Sequence, residues 1–103
     1  MIGIYLSQNY DLNNISGNIA YSNTVYGIRI FRSDDNFVWN NTVIDNRHGI
    51  YLDESVINDI IENNITDNTN TGLTLDSSNN NILYKNKFKD NRTIGLEITN
   101  NKN

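Results

Sequence analysis

An all-β solenoid of about four turns, each 22–24 residues long with three short strands, is the fold predicted for this chain of 103 residues. Three observations predict it. Glycines recur at 3, 27, 49, 72 and 95, at intervals of 24, 22, 23 and 23 residues. Each glycine is followed by an apolar, variable, apolar triplet. Downstream of the first four comes one phrase, Asn-x-apolar-x-x-Asn-x-apolar-x-x-Asn, starting at Asn13, Asn36, Asn58 and Asn81. Self-similarity at a fixed period of roughly 20–50 residues is the signature of a stacked repeat architecture.

The elements follow in order along the unit. In the triplet after each glycine, side chains one residue apart point to the same side of a strand, so the first strand turns two apolar residues inward. This gives the columns Ile4, Ile28, Ile50, Leu73, Leu96 and Leu6, Ile30, Leu52, Leu75, Ile98. The second and third strands, between successive Asn, each turn one residue inward: Ile15, Val38, Ile60, Leu83 and Ala20, Val43, Ile65, Phe88. A helix is disfavoured because β-branched residues and Asn dominate and no 3.6-residue stripe persists. Hairpins lack their turn dipeptides, since the chain has no Pro, Asn-Gly or Asp-Gly. Successive strands therefore turn corners in one sense, and each pairs in parallel with its counterpart one turn on: a parallel β-helix. The repeats run over residues 3–26, 27–48, 49–71, 72–94 and, in part, 95–103, forming a single domain with no internal boundary.

Asparagine makes up 22 of the 103 residues, and 12 of these fall on three columns: Asn13, Asn36, Asn58, Asn81; Asn18, Asn41, Asn63, Asn86; and Asn23, Asn46, Asn68, Asn91. These belong at or beside the corners, because Asn tolerates a left-handed backbone and its amide can bond like residues stacked about 4.8 Å apart. The excess of Asn is thus structural rather than a sign of disorder. A net charge of −4 with no basic stripe excludes a nucleic-acid partner. No apolar run approaches the roughly 18 residues of a membrane span. No Cys, one His and one Met exclude disulfides and thiolate metal sites.

The unit GIYLDESVINDIIENNITDNTNT, Gly49 to Thr71, resembles the parallel β-helix repeat of the NosD-like group and of the broader carbohydrate-binding and sugar-hydrolase β-helix class. The resemblance covers nearly the whole chain and implies a right-handed helix in an extracytoplasmic setting: cell surface, secreted or periplasmic. It also raises copper, but one His and Met1 make no convincing copper site.

Two outward surfaces stand out. Phe37, Trp39, Ile61, Ile82 and Tyr84 flank the third apolar column and form an exposed apolar ledge, for a polysaccharide or for another protein segment. Asp53 and Asp76 lie one rung apart, with Glu54 and the Asp34-Asp35 pair nearby; such oxygens suit Ca²⁺, but a solvated acidic edge is the simpler account of them. His48 reads as a solvated surface side chain. Four Asn-x-Ser/Thr sequons stand at Asn14, Asn40, Asn64 and Asn91, with Asn14 and Asn64 outward. Neither end carries an atypical cap, so the chain is expected to be a fragment of a longer β-helix or to self-associate end to end or laterally. The function expected is a non-catalytic, rigid β-helix module with possible polysaccharide binding. The alternatives are a fragment of a polysaccharide lyase or glycoside hydrolase, a NosD-like periplasmic accessory protein and a purely structural surface-layer element.

Overall fold

The computed structural model describes residues 1–101. Among the described residues, thirteen strands and no helix form three parallel sheets. The first sheet stacks five six-residue strands: β1 (Ile2–Ser7), β4 (Tyr26–Phe31), β7 (His48–Asp53), β10 (Thr71–Asp76) and β13 (Ile94–Thr99). The second contains β2 (Asn14–Ser16), β5 (Phe37–Trp39), β8 (Asp59–Ile61) and β11 (Ile82–Tyr84). The third contains β3 (Ile19–Tyr21), β6 (Thr42–Ile44), β9 (Asn64–Thr66) and β12 (Lys87–Lys89). The chain visits the three sheets in turn and so winds the right-handed β-helix, the hand that parallel crossovers adopt.

Pairing holds every predicted column in register: Ile4 with Ile28, Ile28 with Ile50, Ile15 with Val38, and Val43 with Ile65. The core consists of these columns. Ile28, Ile30, Val38, Val43, Ile50, Leu52, Ile60, Ile65 and Leu73 are fully buried, each contributing roughly 1.5–3 kcal/mol. Burial fades towards the last rung, where Leu96 and Ile98 lie exposed.

The three Asn columns run beside the core as directional ladders. In the third, the backbone N–H of Asn23 donates to Asn46 Oδ1 at 2.9 Å and that of Asn46 to Asn68 Oδ1 at 3.0 Å. Each amide nitrogen also reaches back one turn: Asn46 Nδ2 donates to the Ala20 carbonyl at 2.9 Å, and Asn68 Nδ2 to that of Val43 at 3.1 Å. The second hydrogen on Nδ2 is shared between the Ile44 carbonyl at 3.1 Å and, one coil forward, Asn68 Oδ1 at 3.2 Å. Both donors and both lone pairs of Asn46 are thus used. Asp would lose the donors and stack like charges about 4.8 Å apart, so only the amide fits.

The physical reason expected for Asn at these corners is corrected here. The left-handed residues are the ones immediately before the ladder: Asp35, Asn40 and Asp45 in one coil, and Ile57, Glu62 and Asp67 in the next. A further left-handed residue in each coil, such as Arg32, Glu54 and Ser77, follows the first sheet. After it comes a fourth ladder that sequence reasoning missed. The Ser33 N–H donates to Ser55 Oγ at 3.1 Å, and the Ser55 N–H to Ser78 Oγ at 3.0 Å. Its signal is legible in retrospect, a hydroxyl six residues after each of Gly27, Gly49 and Gly72.

The periodic glycines are needed for close approach. A methyl group on Gly27 would lie 2.7 Å from Asn46 Nδ2 and 2.8 Å from the Gly49 carbonyl oxygen. The third ladder and the first sheet therefore meet at a point that admits no side chain.

Opposite stability changes are expected at neighbouring corner positions, read from urea midpoints. Asn46→Ala destabilises by roughly 1–3 kcal/mol for each buried group it strands, the Asn23 N–H and the Ala20 carbonyl. Ile57→Gly, at an exposed β-branched residue with φ of 58°, stabilises by about 1 kcal/mol by relieving the left-handed strain.

Candidate functional site

Because the inward positions are occupied by core and ladders, chemistry is confined to the outward columns. On the first sheet three such columns lie side by side: Ile2, Tyr26, His48, Thr71, Ile94; Tyr5, Arg29, Tyr51, Thr74, Glu97; and Ser7, Phe31, Asp53, Asp76, Thr99. The strands hold them flat and at fixed spacing.

Arg29 occupies the middle of this face. Its guanidinium carbon lies 5.4 Å from the ring centre of Tyr5 and 5.1 Å from those of Tyr26 and Phe31. Its terminal nitrogen pairs with Asp53 Oδ2 at 3.0 Å, while its Nε is buried without a hydrogen-bond partner. Such cation–π contacts contribute about 0.5–1 kcal/mol each at exposed sites and hold the guanidinium in place.

Beside Arg29 is a cluster of three rings. Tyr26 and Tyr51 approach to 5.0 Å, Tyr26 and His48 to 5.4 Å, and His48 meets Tyr51 edge-on at 5.8 Å. His48 Nδ1 shares a hydrogen bond of 2.8 Å with Thr71 Oγ1, which also accepts from Thr74 Oγ1 at 3.1 Å. Burial pushes the His48 pKa down from its ordinary 6.5, the Arg47 charge lowers it further, and Glu97 partly opposes this. The expected solvated histidine is thus a half-buried, neutral imidazole on the sheet face. Burial, followed by the Asp76 charge and hydrogen bond, raises the Tyr51 pKa to about 12. Its hydroxyl donates to Asp76 Oδ2 at 3.2 Å. The face thus presents, at neutral pH, ring faces, a fixed cation, a neutral imidazole, a protonated phenol and three carboxylates, Asp53, Asp76 and Glu97. Aromatic faces with convergent polar groups suit sugar rings and their hydroxyls. Sequence reasoning passed over Tyr5, Arg29 and Tyr51 because they fill the variable middle slot of the triplet.

The acidic edge lies where expected, with Asp53 beside Asp76 in register. The partners of its carboxylates differ. Asp53 is held by Arg29, and Glu54 by Arg32 at 2.9 Å. Asp76 accepts from Asn100 first, then from Ser77 and Tyr51; these bonds outweigh burial and lower its pKa. Among the described residues no three His, Cys, Asp or Glu side chains converge on one point.

On the second sheet Phe37, Trp39, Ile61, Ile82 and Tyr84 occupy adjacent outward positions. Phe37 and Trp39 stack at 6.1 Å and 16°. Trp39 Nε1 reaches Glu62 Oε2 at 3.4 Å, and Lys85 covers the Tyr84 ring. Ile82 and Tyr84 remain more than half exposed, at 56% and 55%. Among the sequons, Asn14 and Asn40 are exposed, whereas Asn91 is a ladder residue bonded to the Ile65 carbonyl.

Residues 1–103 match the family of periplasmic copper-binding proteins (NosD). The chain belongs to the NosD family. It is 36% identical over 62 residues to a mannuronan C5-epimerase of Pseudomonas putida, a stretch that covers 59% of this chain and 12% of the epimerase. Crystal structures of a double and a single mutant of the periplasmic alginate epimerase AlgG superpose on 99% of this NosD-family chain with a TM-score of 0.93 at 30% identity. The chain covers 25% of the length of those structures.

The copper in the family description finds no matching donor set among these residues. The sole imidazole is His48, whose Nδ1 is engaged by Thr71, the sole thioether is Met1, and there is no thiol.

Three titrations check this geometry. A depressed imidazole pKa contributes stability that is present above pH 6.5 and lost as pH falls through the folded value; His48→Gln should flatten that acid limb of the unfolding curve. The raised phenol acts in the opposite direction, with stability intact below pH 10 and falling as pH approaches about 12, and Tyr51→Phe should remove this loss. Calcium should leave the melting temperature unchanged, since Asp53 and Glu54 are already paired with arginines. A calcium-dependent rise would instead assign the edge to the ion.

Proposed function

We propose that this β-helix is a rigid extracytoplasmic module that binds an acidic polysaccharide across the outer face of its first sheet. One observation carries the reading: Arg29 fixed among Tyr5, Tyr26 and Phe31, next to the Tyr26, His48 and Tyr51 rings. Rings of this kind pack against pyranose faces, and the Arg29 and Asp53 side chains, paired with each other, present donors and acceptors to sugar hydroxyls. Similarity to enzymes named for mannuronan and alginate supports an acidic polymer as the ligand, and the periplasmic descriptions of NosD and AlgG support the location.

A second reading is acid–base chemistry on the same polymer. The neutral His48 imidazole in edge contact with the protonated Tyr51 phenol favours it, because one group can accept a proton and the other donate one. In deuterated water this reading puts deuterium on the sugar carbon next to the carboxylate. The binding reading gives none.

The ledge of Phe37, Trp39, Ile61, Ile82 and Tyr84 is assigned in this reading to contact with another protein segment, lateral to the glycan. Calorimetric titration with oligomannuronate separates the two surfaces. Tyr51→Ala and Arg29→Gln should each weaken binding by about tenfold or more, equivalent to about 1.4 kcal/mol. Trp39→Ala with Tyr84→Ala should leave it unchanged. Binding lost only in the ledge variant would move the glycan to the second sheet.

A further inference from the structure

We infer that the trough along the corner between the third and first sheets reads the carboxylates of a sugar-acid polymer, with Arg47 as the anchor and one sugar unit lying on each coil. The inference rests on the polysaccharide reading above and deepens it by naming a second element of the surface.

The trough is an open groove of about 550 Å³ that draws its walls from four successive coils, among them Ser22, Asp45, Arg47, Thr69, Asn70 and Thr93. Every residue that lines it carries a hydroxyl, an amide or a charge, groups that can bond to a polyhydroxylated chain. Its floor is regular, because the corner continues the ladder. The Arg47 N–H donates to the Asn23 carbonyl at 3.2 Å, the Asn70 N–H to the Arg47 carbonyl at 2.8 Å, and the Thr93 N–H to the Asn70 carbonyl at 2.9 Å. The rungs therefore repeat at the strand spacing of about 4.8 Å, close to the advance of one pyranose unit in an extended polymer. A chain laid along the helix axis meets the corner once per sugar, passing Ser22, then Asp45 and Arg47, then Thr69 and Asn70, then Thr93.

Arg47 gives this surface its preference. The neighbouring arginines are engaged, Arg29 by Asp53 at 3.0 Å and Arg32 by Glu54 at 2.9 Å. The Arg47 guanidinium is exposed and, among the described residues, has neither ion pair nor hydrogen bond. Asp45, the acidic group of the trough, already accepts from Ser22 Oγ at 2.7 Å. A planar guanidinium free in this way binds a carboxylate with two parallel hydrogen bonds. Arg47 directly precedes His48, so a polymer held in the trough borders the ring cluster of the first sheet.

Calorimetric titration with oligomannuronates of increasing length, and with their carboxyl-reduced neutral counterparts, tests the inference on four proteins: the unmodified chain, Arg47→Gln, Arg47→Lys and Tyr51→Ala. Arg47→Gln should weaken the acidic tetrasaccharide by about tenfold or more, as expected for loss of a charge-assisted pair. It should leave both the neutral counterpart and the melting temperature unchanged, and Arg47→Lys should restore part of the loss. Affinity should rise with each added sugar up to four units, the number of coils lining the trough, and then level off. If Arg47→Gln binds the acidic oligomer as tightly as the unmodified chain while Tyr51→Ala binds it weakly, the trough assignment is overturned and the reading of the first sheet stands. If the unmodified chain binds neither oligomer, both fall.

Discussion

The asparagine side chain, bonded forward to the next coil and back to the previous one, is the interaction on which the rest of this molecule depends. Each coil has to bend its backbone sharply between strands of three or six residues, and it does so largely with left-handed residues that carry a Cβ. Each such corner is strained by about 1–2 kcal/mol and leaves backbone groups that cannot join a sheet. The amide placed directly after the corner meets both demands. Asn41, for example, takes the Asn18 N–H on its Oδ1 at 2.9 Å and returns Nδ2 to the Ile15 carbonyl at 2.9 Å. Backbone groups at these corners are therefore satisfied by asparagine repeated every turn, with serine in the fourth ladder, and the core can remain wholly apolar.

That solution constrains the location of function. Ladders and core occupy every inward position, and glycine is required where the third ladder meets the first sheet. Outward positions are free of these demands, so the sequence varies there from coil to coil: Tyr5, Arg29, Tyr51, Thr74 and Glu97 share one column. The fold supplies a flat lattice with fixed spacing, and the site arises from which side chains happen to be adjacent on it. The same scaffold thus accommodates the NosD family and alginate epimerases at a TM-score of 0.93 with 30% identity.

The repeat made the fold largely legible in the sequence. Glycine spacing and the Asn phrase placed Ile28 against Ile50 and Val38 against Ile60, as the register shows. Position within the unit also placed the second-sheet ledge and the adjacency of Asp53 and Asp76. Besides the serine ladder, two features were hidden. The left-handed corners were hidden because their residues, among them Arg32, Asp35, Ile57 and Lys85, share no chemical type that marks them. The first-sheet site was hidden because it depends on contacts between coils: Arg29 is separated from Asp53 by 24 residues, and Tyr51 from Asp76 by 25. Such pairs become visible only when the variable slots are stacked in register and considered as columns.

Native-state hydrogen exchange at the ladder amides is the most direct test of the central claim. The backbone N–H groups of Asn36, Asn41, Asn46, Asn58 and Asn63 point at side-chain oxygens one coil on, not at another backbone. If the ladders hold the coil together, these amides exchange as slowly as those of the central first-sheet strands, through the same global opening. Exchange at the rate of the exposed corner residues, while the strand amides stay protected, would contradict the account.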